Sequence, residues 1–354
     1  KRQTVVPSME IGTGPAGEPA ADVTYAIRPG TAYSVRHIRL AGNETTRDNL
    51  LQRELAIREG EPLYWQKVED SRRQLLATSL FRDVTIVPVG VDTTTGETDL
   101  LVRVIERKPA FYEFGVGIGS LERIRATAAW GHYNLWGTGR RLQVRVRAGW
   151  NMEDVIGRPI SFDQGQLNYR GDIQYVNPHI RGSRYSFDID LYTKLETRGE
   201  SGINLFSTGV DIGTTWKSSR TVTNQAFLGY KITSPEVHPY APDSLKVRYD
   251  ELDPGTDETR SVNFVTYIDH RDDRFRPTTG TYYVGTAKLA GGIMGGDFSF
   301  FKWSGAVHNY RDTPFGGILA VRFQLGGTRP YGKSLELGPD GVPYDDRFFA
   351  GGAS

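Results

Sequence analysis

The chain has 354 residues, with 43 Lys+Arg against 42 Asp+Glu and a formal charge of +1, a balance that argues against a dedicated nucleic-acid binder. It has no Cys, which rules out disulfides, thiolate zinc sites, iron–sulfur clusters and cysteine nucleophiles. The 41 Gly and 18 Tyr against 3 Met favour strands and turns over a helical bundle; no apolar run is long enough for a membrane helix, but a spanning β-barrel needs none.

In chain order, Lys1-Arg2 leads straight into strand-like sequence with no leader, so a processed chain or a piece of a longer one is expected. Residues 1–30 read as the end of a repeated unit. Thr4-Val5-Val6-Pro7 matches Thr85-Ile86-Val87-Pro88, and the Asp22–Ile27 strand matches Asp99–Val104, at an offset of about eighty residues. If so, Asp22–Ile27 should pair with the strand near Thr4–Pro7.

Residues 31–108 read as a small α/β domain of order β-α-α-β-β. Tyr33–Leu40 alternates as a strand, and Gly42-Asn43 turns the chain. Thr45 or Thr46 is expected to cap a helix running to about Arg58, with Leu50, Leu51, Leu55 and Ile57 inward and Gly60 as its stop. A second helix covers roughly Trp65–Ser79, with Val68, Leu75 and Leu76 as its apolar stripe. Strands Val84–Val89 and Leu100–Ile105 follow, joined by the polar Thr93–Gly96 turn.

Beyond Pro109 the pattern changes to long alternating segments, about eleven of them, most spanning ten residues or more. Arg141–Trp150, Gln166–Tyr175, Arg184–Leu191 and Ile318–Leu325 are the clearest. Globular strands average about five or six residues, whereas roughly ten is what a tilted strand needs to cross a bilayer. Alternation alone leaves a soluble sandwich open. Length, the aromatics near strand ends (Trp130, Trp136, Trp150, Trp216, Tyr230) and uneven connections favour a membrane barrel. Ser234–Glu258 and Tyr331–Arg347 are long, while Gly199–Gly202 and Lys217–Arg220 are tight. On this reading Arg141, Arg145, Arg147, Arg170 and Asp172 point into the lumen, and Leu142, Val144 and Val146 face lipid. Residues 109–354 are then the first part of a transmembrane antiparallel β-barrel.

Nothing in the sequence supports an enzyme, a metal or a cofactor. His270-Arg271-Asp272 resembles a kinase catalytic loop, but Pro277 stands where its Asn belongs. Gly115-Val116-Gly117-Ile118-Gly119 lacks dinucleotide-loop spacing, and the six His (His37, His132, His179, His238, His270, His308) lack metal-ligand spacing. Asp253, Asp257 and Glu258 lack calcium-loop spacing, and no GxSxG elbow occurs. The Phe111–Gly119 segment carries Gly115, Gly117 and Gly119 on one face and Tyr112, Phe114, Val116 and Ile118 on the other. Glycine weakens strand packing, so this strand is expected to open more easily than its neighbours.

Six motifs in order carry a resemblance to a known family. They are Ile38–Asn43 with Leu76–Val84; Phe114-Gly115-Val116-Gly117; Asn134-Leu135-Trp136-Gly137-Thr138-Gly139; Tyr175-Val176-Asn177-Pro178; the Asp269–Gly280 turn with Asp272, Arg274, Pro277 and Gly280; and Arg347-Phe348-Phe349-Ala350-Gly351-Gly352-Ala353-Ser354. Together they resemble the BamA/TamA superfamily of outer-membrane assembly factors, in which periplasmic POTRA domains precede a sixteen-stranded barrel.

The resemblance implies a bacterial outer-membrane protein with its POTRA region in the periplasm. Its partners would be unfolded outer-membrane protein clients, the lipid bilayer and accessory assembly subunits, either periplasmic lipoproteins or an inner-membrane-anchored partner; no nucleic acid is implied. It also implies a lateral gate on the first barrel strand, formed here by Phe111, Glu113, Phe114, Gly115, Gly117 and Gly119. Arg347, Phe348, Phe349, Gly351 and Gly352 would lead into a VRG(F/Y) loop folded inside the barrel. That motif and the last strands are absent from this sequence, so a fragment is expected. A two-partner-type secretion pore, exporting a protein through its lumen, shares these parts and is the alternative.

Overall fold

The computed structural model describes residues 4–13, 19–28, 32–118, 124–151, 166–180, 183, 185–198, 203–237, 255–337 and 341–348. It divides into two compact units. The first comprises Lys1–Pro109 with Asn134–Gly139, and the second Ala110–Tyr133 with Arg140–Ser354.

The first unit opens with strands β1 (Thr4–Thr13) and β2 (Pro19–Arg28), paired antiparallel with Thr4 opposite Arg28 and Pro7 opposite Tyr25. This is the pairing that the internal repeat predicts. The small α/β domain follows as β3 (Ser34–Ala41), α1 (Asp48–Glu54), α2 (Trp65–Ala77), β4 (Phe81–Asp92) and β5 (Glu97–Glu106). The sheet order is β3-β5-β4, with β5 parallel to β3 and antiparallel to β4. The two helices and the sheet enclose one core that includes Val35, Leu51, Val68, Leu75, Phe81, Val84, Leu100 and Val102.

Two expectations for the first helix are corrected. Neither threonine caps it: the backbone N–H groups of Thr45 and Thr46 donate to the Glu106 carboxylate at 2.9 and 2.7 Å, and Arg47 is the N-cap, with no side-chain bond. The helix also stops at Glu54 rather than near Arg58. Leu55 is extended, and the Ala56 N–H donates to Ser71 Oγ at 2.9 Å instead of continuing the helical ladder. Leu55 and Ile57 still reach the core, but from extended chain. Asp99, also buried, accepts from Arg36 Nε at 2.9 Å and Arg39 Nη2 at 2.8 Å; the Arg36 hydrogen bond holds its carboxyl below the usual range.

The second unit is one sheet of eleven strands: β6 (Ala110–Gly117), β7 (Ile124–Leu135), β8 (Arg140–Asn151), β9 (Gln166–Asn177), β10 (Phe187–Arg198), β11 (Ile203–Lys217), β12 (Val222–Val237), β13 (Asp257–Asp269), β14 (Gly280–Ala290), β15 (Phe300–Asp312) and β16 (Ile318–Pro330). They lie in sequence order, so each described strand touches only its chain neighbours and β6 and β16 form the two edges. Lengths reach 16 residues in β12, which also shortens the expected 234–258 loop from both ends.

The register aligns alternate residues into two faces. Ile173, Leu191, Ile212, Leu228, Phe264, Tyr283, Val321 and Phe323 share one face and are exposed. The opposite face is polar: Arg145 lies across from Asp172, Asp172 from Tyr192, and Asp190 from Asp211. This is the inverted arrangement of a lipid-facing sheet. One detail of the loop asymmetry is corrected. β10 and β11 join at the same end of the sheet as β12 and β13, so the tight 199–202 connection lies on the long-loop end.

Candidate functional site: the bare edge and the clamped interior loop

The β6 edge starts well held and ends bare. Phe111 lies opposite Gly131 and covers it so closely that a Cβ there would fall within the ring. The same ring stacks on Tyr133 with centroids 5.0 Å apart, and the Arg141 guanidinium sits 5.8 Å from the Tyr133 ring. Beyond Phe111 that cover ends. Among the described residues, a Cβ at Gly115 or Gly117 would meet nothing within 4 Å. Glu113 is exposed, and on the other face so are Tyr112, Phe114 (81 % exposed), Val116 and Ile118. Gly119 lies outside the described residues.

Four of the five predicted interior residues converge. Arg145, Arg147, Arg170 and Asp172 line a polar cavity of about 320 Å³ with Gln143, Gln174 and Asp190. Arg170 Nε donates to Asp172 at 2.6 Å, and its guanidinium lies 5.6 Å from the Tyr192 ring. Arg141 is on the same alternation of β8 but packs on Tyr133 instead.

The turn between β13 and β14 shows why its motif has those residues. The Asp272 carboxylate accepts from the Thr278 hydroxyl at 2.6 Å and from the Thr278 and Thr279 N–H groups at 3.0 and 3.2 Å. These bonds, the Thr278 hydroxyl first, hold its carboxyl well below the ordinary range. Gly280 has φ +108°, and a side chain there would collide with the His270 carbonyl. Arg274 pairs with Asp269 at 3.3 Å, while Pro277 is half-buried within the turn.

The segment 341–348 folds back on the polar face of the sheet. Lys288 and Lys302 stand directly opposite each other on β14 and β15, a repulsive arrangement unless an anion joins them. Asp346 does so. It accepts from Lys288 at 2.9 Å to both oxygens and lies 3.7 Å from Lys302; a third lysine, Lys231 of β12, donates to it at 3.1 Å and to Asp345 at 2.6 Å. Both aspartates are buried, with side chains 6 % and 9 % exposed. Nearby, Val342 packs with Ala290 and Phe300, and Arg347 Nε donates to the Val342 carbonyl at 2.8 Å. Phe348 sits 4.9 Å from Lys302 Nζ and lies over Gly326 of the β16 edge. Phe349, Gly351 and Gly352 lie outside the described residues. Sequence reasoning missed the lysine clamp. Its only trace was a lysine on the polar alternation of each of three strands.

The second hairpin motif is structural within the first compact unit. Asn134 Nδ2 donates to Thr46 Oγ1 at 2.8 Å, and its Oδ1 accepts the Gly139 N–H at 2.8 Å. The Arg47 N–H donates to the Gly137 carbonyl at 3.0 Å, and a Cβ at Gly139 would sit 2.8 Å from Leu50 Cδ1.

Comparison with known families fits this geometry. Residues 134–354 match the Omp85 superfamily domain, and residues 33–107 match POTRA, described as a surface antigen variable number repeat. The chain belongs to the Omp85 superfamily. Among curated relatives, the outer membrane protein assembly factor BamA of Nitratidesulfovibrio vulgaris is 26% identical over 341 residues, covering 95% of this chain and 39% of its own length. BamA of Neorickettsia risticii is 26% identical over 349 residues, covering 92% and 44%. The chain thus spans less than half the length of these relatives.

In fold, the chain resembles the crystal structure of BamA from Haemophilus ducreyi lacking POTRA domains 1-3, with a TM-score of 0.72 at 18% identity, covering 99% of this chain and 64% of that one. It also resembles CdiB from Acinetobacter baumannii, with a TM-score of 0.52 at 14% identity, covering 93% and 56%. As an Omp85 member the protein resides in the outer membrane, with its POTRA domain in the periplasm.

Proposed function

We propose that this chain is part of an outer-membrane β-barrel assembly factor that inserts client proteins at the β6 edge. The observation that carries the reading is the composition of that edge: among the described residues, no side chain covers Gly115 or Gly117. Pairing of β6 with a closing strand then depends on backbone hydrogen bonds, each contributing a net of about 0.5–1.5 kcal/mol. A short seam of that kind opens at modest cost and exposes an edge that accepts a client strand by augmentation. Clients arrive through the POTRA domain, whose β4 is an edge strand with Val87 and Val91 exposed, and accessory subunits dock in the periplasm. The chemistry is strand pairing and needs no catalytic group or cofactor.

The test is a disulfide between Gly117→Cys and the closing strand of the full-length protein. We expect client insertion to stop while the barrel stays folded. Assembly at the normal rate by the locked protein would refute the gate and favour the second reading, a secretion pore that passes its substrate through the lumen.

A further inference from the structure

Arg147 of β8 and Arg170 of β9 stand directly opposite each other on the polar face of the sheet. Like charges in that position repel unless an anion joins them. The Lys288–Lys302 pair has its anion in Asp346. Among the described residues the arginine pair has none. Asp172 is held by Arg170 Nε at 2.6 Å, and Arg145, directly across from Asp172, makes no bond to it. Neither Arg145 nor Arg147 has a hydrogen bond or ion pair to any described residue.

The three guanidinium groups line one cavity of about 320 Å³ with Gln143, Gln174, Asp172 and Asp190. That volume is at the lower end of small-molecule sites, which run to about 300–1,000 Å³. Three arginines against two aspartates leave the lining with net positive charge. Asp190 Oδ1 is buried there with no hydrogen-bond partner among the described residues. A buried acceptor left unpaired is costly, and whatever fills the cavity must bring it a donor.

We infer that this cavity binds a phosphate monoester of a polyol. Guanidinium forks take phosphate oxygens in bidentate pairs, and a monoester offers three terminal oxygens where a carboxylate offers two. Its charge of about −1.5 to −2 near pH 7 offsets both unpaired arginines, whereas a carboxylate offsets one. A hydroxyl on the polyol supplies the O–H that Asp190 Oδ1 lacks. Arg145 and Arg147 lie two strands from β6, so binding here and insertion at that edge stand or fall separately.

The test is calorimetric titration of the full-length protein, in phosphate-free buffer, with glycerol 3-phosphate and with glycerol as the uncharged control. We expect saturable one-to-one binding of the ester and none of glycerol. Arg147→Gln should weaken binding at least tenfold, and Arg147→Lys, which keeps the charge but not the fork, by less. Arg322→Gln, on the polar face of β16 and outside the cavity, should bind like the parent. Because Arg147 has no partner to lose, Arg147→Gln should also be more heat-stable than the parent without ester, and only the parent should gain stability when ester is added. Equal affinity in Arg147→Gln and the parent, or no saturable binding at millimolar ester, overturns the inference. Nanodiscs then identify the source. If lysophosphatidic acid in the bilayer abolishes glycerol 3-phosphate binding, the phosphate is that of a lipid headgroup; if binding is unchanged, it is that of a soluble ester.

Discussion

The two edges of the eleven-stranded sheet are built in opposite ways. At β16, Gly326 lies under Phe348, and the segment carrying Phe348 is clamped through Asp345 and Asp346 to lysines of β12, β14 and β15. At β6, among the described residues, nothing lies within 4 Å of a Cβ at Gly115 or Gly117, while Phe111 at the strand's start stacks on Tyr133. Glycine on an interior face therefore has no single meaning. Under an aromatic ring it admits close packing; with nothing above it, it leaves a strand held by backbone alone. Among the described residues the clamp ties β12, β14 and β15 together, and no such contact joins β6 to a strand other than β7.

The largest test of that contrast is Asp346→Asn. Removing one partner of a buried ion cluster leaves charge uncompensated and costs about 3–5 kcal/mol. We expect a clear drop in the denaturant midpoint and protease cleavage within 341–348; an unchanged midpoint would mean the clamp does not stiffen this side. Next in size is a matched pair of glycine substitutions. Gly326→Val places a Cβ 2.7 Å from Phe348 Cζ and 3.0 Å from the Trp303 carbonyl. Overpacking of this kind costs about 1–3 kcal/mol. Gly117→Val meets no described residue within 4 Å of its Cβ, so it should leave the midpoint nearly unchanged while slowing client insertion. Equal midpoints for the two variants would erase the difference between the edges.

Phe111→Ala probes the held start of β6. The loss should be about 0.5–1.5 kcal/mol for the aromatic pair with Tyr133, seen as faster amide exchange over Ala110–Glu113 and unchanged exchange in β16. The smallest effect concerns pH. Asp272 has a depressed carboxyl, so its contribution is present above the unfolded value of about 4 and is lost as pH falls through the lower folded value. Amide protection at Thr278 and Thr279, corrected for intrinsic exchange, should decline below that pH and be weak at every pH in Asp272→Asn. Protection that persists in Asp272→Asn would show that other bonds hold the turn.

Much of this was legible in the sequence. Period-two alternation is a local property, so the eleven strands, their two faces and the placement of Arg145, Arg147, Arg170 and Asp172 on the polar face could be read directly, whereas their meeting in one cavity depends on strand register. The turn motif was legible too, because Asp272 and Gly280 act on backbone a few residues away. The clamp was not. Lys231, Lys288 and Lys302 meet only through the register of β12 to β15, and their anion comes from a loop more than forty residues beyond Lys302. The first helix was misjudged for a related reason. Thr45 and Thr46 look like caps, but Glu106, sixty residues on, supplies the acceptor for their N–H groups.

The parallel pairing of β3 with β5 has a consequence for the order of events during export. β3 and β4 are not neighbours; each is held through β5, the last strand of the domain to be delivered. Long-range pairing of this kind is slow to form, since the loop must close before any contact rewards it. A nascent POTRA domain emerging from its N-terminal end therefore cannot complete its sheet until residue 106 has emerged. The first barrel strand then follows at Ala110. Completion of the soluble domain and arrival of the membrane part are nearly simultaneous, so any delay in one leaves the other waiting unfolded.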